Sequence, residues 1–354
     1  IAEIKNDGSF YITKHPGTGG LVSTGTVTAQ LLYEISSPAY LNPDVIAHFD
    51  TLNIEEISKD RVYVSGCRGS SPTNTHKVCI NLAGGYRNGM EFILTGIDIE
   101  EKAKIITDAL FNNVGGKDQF DDVSILLDRT DKKDPNSNEE AMASLRISVK
   151  SKDPDLVGRM FTQKMIELAL ANYPGFFTGS GVRSGGPVLV YWPALIDSKH
   201  IKETVHIDGK KIDVIPTNQM DLEDTYYQKK PIEVPPPPSG ETLNRPLGEI
   251  FGARSGDKGG CANIGVWAKS ENAFSFLNSY LTVKKIKELM PDISEFEIDR
   301  YELPNILSLN FYIHDILEDG VSSNNRKDGQ AKSLGEYLRA KYADIPKSLF
   351  EENL

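Results

Sequence analysis

FGARSGDKGGCANIGVW, residues 251–267, decides how this chain is read: five of its seventeen residues are glycine, and the apolar runs at 247–251 and 262–268 read as flanking strands. Glycine adopts positive φ without steric cost and leaves backbone N–H groups open. The segment is therefore expected to be a loop of the kind that cradles anions. Arg254 and Lys258 add positive charge, Ser255, Gly259, Gly260 and Asn263 add donors, and Asp257 is its sole carboxylate. Together they suit a phosphate or carboxylate ligand, with Asp257 and Lys258 as a catalytic acid/base pair. The same spacing fits a tight hairpin in which arginine and aspartate pair locally. The P-loop spacing GxxxxGK[ST] is absent. Cys261 is either a nucleophile tuned by Lys258 or a small buried packer.

Two further segments have the same character. In TKHPGTGGLVSTGTVTAQLLYE, residues 13–34, the turn Gly17, Thr18, Gly19, Gly20 leads into a helix expected over 21–35. A helix start favours anions through its free N–H groups and dipole. His15 precedes proline, so it sits on extended chain, as a candidate general base or as a local packing group. In TGSGVRSGGPVLVYWP, residues 178–193, Arg183 lies among glycines before a buried strand at 188–192, as an anion ligand or part of a plain connection. Arg68 and His76, in GCRGSSPTNTHKV, carry less weight.

Working outward, four consecutive prolines at 235–238 fix φ and remove donors, which predicts an extended spacer, with a linker over 217–243. The expected domains are 1–216 and 244–354. The opening residues read as two short strands around Asn6-Asp7-Gly8. Further strands are expected at 62–64, 77–82, 123–127, 143–149, 295–302 and 307–315, and helices at 99–112, 154–172 (capped by Asp153), 279–290 and 330–342. A net charge of -11 over 354 residues opposes general binding to nucleic acid or to an anionic membrane surface. No apolar run is long enough to span a bilayer. Three widely spaced cysteines offer neither a disulfide framework nor a structural zinc set, and suit a reducing compartment. No metal set is required by spacing, although Asp257, Asn263 and Asp315 are oxygen donors of the kind Mg²⁺ takes.

The segments HPGTGGLVSTGTVTAQLLYEI (15–35), GCRGSSPT (66–73), YWPAL (191–195), GARSGDKGGCANIGVWA (252–268), RYELPNILSLNFYIHDILEDGV (300–321) and KSLGEYLRA (332–340) resemble, in order, the acyclic terpene utilisation AtuA family. The resemblance implies an α/β protein with a mixed-sheet N-terminal domain and a small C-terminal α/β domain. Ile1 to about Lys199 corresponds to only the latter part of the first domain, so an earlier part is expected to be missing. The family usually has an acidic residue where this chain has Cys261.

The resemblance also implies a place in the breakdown of acyclic terpenes, which runs through branched acyl-CoA thioesters and a biotin-dependent carboxylase. The first reading is thus a cytoplasmic hydratase or lyase (or one of the mitochondrial matrix, in a eukaryote) acting on an acyl-CoA or carboxylate, with a CoA thioester as substrate and no required cofactor. It is expected to form a homo-oligomer or to join a chain supplying the missing segment. The second reading is a non-catalytic subunit of an acyl-CoA carboxylase, and the third a hydrolase or ligase of another anionic metabolite.

Overall fold

Asn6, Asp7 and Gly8 make the first turn. Gly8 takes φ 82°, the Lys5 amide donates to the Ser9 carbonyl at 2.8 Å, and the flanking strands Ala2–Ile4 and Phe10–Thr13 pair antiparallel. The computed structural model describes residues 1–170, 172–181, 183–214 and 232–352. The protein is mixed α/β with several sheets, and every pairing whose register is defined is antiparallel.

Packing divides it into two units, 1–80 with 193–354, and 81–192, whereas the expected boundaries follow the proline run. Residues 217–231 of the expected linker lie outside the described residues. At its far end, Val234 packs on the C-terminal core, and Pro237 and Pro238 lie beside Phe276 and Tyr280.

The unit 81–192 is a sheet with helices packed on one face. Strands Asp122–Asp128 and Met142–Ser151 pair with each other, and Met142–Ser151 pairs with the long strand Thr75–Thr95. Ala143, Leu145, Ile147 and Val149 alternate inward, at period two, against helix Ile99–Asn113 and helix Arg159–Leu170. The helix expected over 154–172 is split into Pro154–Val157 and Arg159–Leu170 at Gly158, where an added Cβ would meet the Pro154 carbonyl at 2.8 Å. Asp153 caps the first piece through the Asp155 amide, as expected.

The other unit is built around a four-stranded sheet, in the order Gly252–Lys258, Cys261–Trp267, Ser308–Ile313, Ile298–Leu303. One face carries Ile264, Val266, Leu309, Phe311 and Ile313 against helices Glu271–Tyr280, Val283–Leu289 and Leu334–Arg339. The helix expected at 279–290 is the shorter Val283–Leu289, started by its hydroxyl cap Thr282, and helix Glu271–Tyr280 before it, capped by Ser270, was not expected. The opposite face takes helix Thr24–Leu31 and the segment after it. There Leu32 and Ile35 join Val62, Val64, Leu303 and Ile306 in a separate core beneath the sheet Ala2–Ile4, Phe10–Thr13, Arg61–Ser65, Asn53–Ser58.

Of the two readings of residues 251–267, an anion-cradling loop or a tight hairpin, the segment is the hairpin, whose first arm is the edge strand of this sheet, although Asp257 pairs with Lys332 and not with Arg254. Residues 247–249 form a 3-10 turn, pairing starts at Gly252, and the register runs from Gly252↔Trp267 to Lys258↔Cys261. Of its glycines only Gly259 has positive φ, 67°, at the hairpin turn. The others are small because something lies on them. A Cβ at Gly256 would meet Glu34 Cγ at 2.7 Å, one at Gly265 would meet Leu32 Cβ at 2.4 Å, and one at Gly260 would meet the Glu318 carbonyl at 2.2 Å. These glycines allow close approach of neighbouring chain, and Gly256 and Gly265 lie within paired strands rather than in an open anion-binding loop.

Candidate functional site

Two asparagines in the sheet hold down the chain after helix Thr24–Leu31. Asn263, fully buried, donates to the Leu32 carbonyl at 2.7 Å and to Asn310 Oδ1 at 2.8 Å, and its own Oδ1 accepts the Glu34 amide at 3.0 Å. Asn310 donates to the Ser36 carbonyl at 2.7 Å. Both amides are thereby committed, so Asn263, expected to hold substrate, instead holds backbone. Ser255 is likewise buried and accepts the Gly335 amide at 2.9 Å, capping helix Leu334–Arg339 from outside.

With Leu32–Ser36 fixed, Tyr33 and Glu34 stand over the edge strand between Arg254 and Lys258. The Arg254 guanidinium lies 4.2 Å from the Tyr33 ring, and Lys332 Nζ 4.5 Å from the same ring. Lys332 bonds the Tyr33 hydroxyl and the Glu34 carboxylate, and reaches Asp257 Oδ1 at 2.9 Å. Successive strand residues point to opposite faces, so Asp257 turns from Lys258 and pairs with Lys332 around the sheet edge. The expected Asp257–Lys258 acid/base pair is not a contact.

Lys258 is the exception in this cluster. Its ammonium sits 5.4 Å from the Tyr40 ring, half-buried, and among the described residues no carboxylate lies at ion-pair distance from it or from Arg254. Burial pushes the Lys258 pKa down, and Lys77 nearby pushes it further, against the weaker pull of Glu34 and Asp257. Glu34 moves the other way: burial opposes its charge, but hydrogen bonds from Lys332 and Tyr33 outweigh it and hold the carboxyl below the usual range. Lys332, despite partial burial, is raised by Glu34, Tyr33 and Asp257.

The signs set a pH window. Glu34's contribution to stability is complete above its ordinary value of 4.5 and fades as pH falls through the lowered one. That of Lys332 is complete below its ordinary 10.5 and fades as pH rises through the raised one. Lys332→Met is expected to lower the melting temperature at neutral pH and to flatten the fall in stability on acidification. Thermal unfolding across pH checks this, and an acid limb as steep as the wild type's would refute it.

The glycine turn before helix Thr24–Leu31 does not join this cluster. Gly25 abuts Trp267 while Glu34 abuts Asn263 and Gly256, so the helix runs along the sheet, and eight residues span about 12 Å. Gly17, Thr18, Gly19, Gly20 and His15 are all exposed at its far end. The helix start is filled by the protein's own groups: Ser23 caps Thr26, Glu56 accepts the Thr24 amide at 3.3 Å, and Asp60 accepts the Val22 amide at 3.0 Å. Thr18 Oγ1 donates to the His15 carbonyl at 2.7 Å, so the turn is closed locally. A shallow concavity here, lined by Thr24, Gly25, Thr28, Trp267 and Asn305, lies away from Lys258. Arg183 belongs to the other unit, is exposed, and offers its carbonyl to Asn88 at 3.0 Å.

Of the expected residues, Arg254, Asp257 and Lys258 share one edge. Glu34, Tyr33, Tyr40, Lys77 and Lys332 complete it and were not singled out as site residues by sequence. Glu34 and Lys332 stand in family-like segments, but nothing local ties one to the other.

This is a mixed α/β protein whose polar cluster sits on one edge of a C-terminal antiparallel sheet. The acyclic terpene utilisation family protein AtuA matches residues 1–207, and the AtuA ferredoxin-like domain matches residues 245–343. The chain belongs to the AtuA family. No curated protein and no solved structure gives a match. Among the described residues no helix is long and apolar enough to cross a membrane.

Proposed function

We propose that this chain is an enzyme of acyclic terpene or branched acyl breakdown, and that it hydrates, or eliminates from, an anionic acyl intermediate (a free carboxylate or an acyl-CoA thioester) at the Arg254–Lys258 edge. One observation carries the reading: Lys258 is a half-buried cation with a lowered pKa and, among the described residues, no carboxylate at ion-pair distance. Burial of an ammonium without a carboxylate beside it costs stability, and an anionic ligand or a proton-transfer step gives such a group a use. Arg254, stacked on Tyr33 and without an ion pair among the described residues, supplies a second point of attachment for a carboxylate or phosphate. In this reading Lys258 carries the proton or steadies the charge of an enolate, while Asp257 and Glu34 hold Lys332 aside.

Lys258→Met tests it. A lowered folded pKa means the ammonium is less favourable folded than unfolded below that value, so the variant is expected to be as stable as the wild type or slightly more so at neutral pH. It should bind a branched unsaturated acyl-CoA, or the corresponding free acid, about 10- to 100-fold more weakly by calorimetry. Equal affinity in the variant, or none for either ligand in the wild type, defeats the proposal. In the latter case, stoichiometric copurification with a biotin-dependent carboxylase would favour the subunit reading.

A further inference from the structure

Beyond the lysine edge, the same sheet face carries a second cluster. Lys258 pairs with Cys261, and Ala262 and Ile298 both pair with Ile313. Extending that register by one residue puts His314 beside Cys261 and Glu297, and the His314 amide donates to the Glu297 carbonyl at 3.0 Å. Lys258, Cys261, His314 and Glu297 therefore form one row across four strands, with Asp299 in the next row opposite Tyr312. Paired residues of an antiparallel sheet share a face, and strands lie about 4.8 Å apart. The His314 backbone is thus about 10 Å from that of Lys258.

We infer that Glu297, Asp299 and His314 bind a divalent transition cation such as Zn²⁺ or Mn²⁺. Their donor atoms all lie within 4.8 Å of one another. His314 Nε2 and Asp299 Oδ2 are 2.9 Å apart. That is the spacing of adjacent ligands around an octahedral ion with bonds of about 2.1 Å, and it also suits the shorter edge of a distorted tetrahedron. An ordinary His–Asp pair would explain that distance, but not the third group. Glu297 brings a second carboxylate to the same face, and among the described residues neither Glu297 nor Asp299 has a Lys or Arg partner. Glu297 and Asp299 stand two residues apart on extended chain, so both carboxylates face the same side as the imidazole.

The surroundings hold the ligands in place. The Tyr312 ring meets the His314 ring edge-on at 4.9 Å, and the Tyr301 hydroxyl lies 3.4 Å from Asp299 Oδ2. One imidazole with two carboxylates suits zinc, manganese or ferrous iron better than calcium. Three protein ligands on two adjacent strands leave coordination positions for water or substrate. Metal binding stands apart from the proposed activity, because it is read without any acyl ligand.

The experiment is titration of Zn²⁺ and Mn²⁺ into the full, chelator-treated chain, followed by calorimetry and, for Mn²⁺, by electron spin-echo spectroscopy. The expected result is one equivalent bound, with nitrogen modulation from an imidazole. Asp299→Asn and His314→Gln should each weaken binding at least about tenfold, and His314→Gln should abolish the nitrogen signal. Both side chains are partly exposed, so circular dichroism should match the wild type. No stoichiometric binding, or binding that both variants retain (as exposed Cys67 and Cys79 would give), overturns the inference.

Discussion

Asn263→Ala is expected to destabilise the protein by about 3–6 kcal/mol, because one truncation strands three partners around a fully buried side chain. The Leu32 carbonyl and Asn310 Oδ1 each lose a donor, and the Glu34 amide loses its acceptor. None can turn to solvent, since Asn263 and Asn310 have no exposed surface. The loss also releases the segment that carries Tyr33 and Glu34, so the lysine edge should loosen with the fold. Asn310→Ala removes the neighbouring bond to Ser36, and the double variant should cost less than the sum, because the two amides also bond each other. Denaturant unfolding measures all three. A cost below about 1 kcal/mol for Asn263→Ala would mean that the Leu32–Ser36 segment is not held as described.

The second large effect concerns a glycine in a central strand. Gly265→Ala puts a methyl carbon 2.4 Å from Leu32 Cβ and 3.0 Å from Leu32 Cδ1. Leu32 Cβ is fixed to the backbone, so a rotamer change cannot clear it, and the segment after the helix must lift from the sheet. Overpacking of this kind costs about 1–3 kcal/mol where neighbours can give, and more where they cannot, so about 3 kcal/mol or above is expected. Leu32→Ala alone should also destabilise, by about 2–5 kcal/mol, through its cavity. Combined with Gly265→Ala it should give no rescue beyond additivity, because alanine keeps the Cβ that the new methyl meets, whereas Leu32→Gly, which removes that Cβ, should make Gly265→Ala less costly than it is alone. Gly19→Ala, where nothing lies within 4 Å and φ is not positive, should be nearly neutral. If Gly265→Ala were as mild as Gly19→Ala, close approach would not be why glycine stands there.

These effects bear on how the chain reads in one dimension. The turn at Gly8, helix Ile99–Asn113 and the strand Met142–Ser151 are legible from spacing alone, because φ preference and apolar period are local properties. Glycine is ambiguous at that level. It permits positive φ, and it also permits another chain to come within contact of the backbone. Residues 251–267 were expected to use the first property and use the second at Gly256, Gly260 and Gly265. Asn263 and Ser255 mislead for a related reason, since a polar side chain in a glycine-rich stretch bonds backbone as readily as ligand.

Sequence by itself determined the family, the α/β class, many of the strands and the first hairpin turn, because these follow from residue order and steric preference within a few positions. Tertiary structure decided which charges meet. Lys332 finds Asp257 from 75 residues away and Glu34 from 298, and among the described residues it leaves Lys258 without a carboxylate at ion-pair distance. That outcome depends on which backbone the buried asparagines hold against the sheet, and no local preference encodes a contact between elements so far apart.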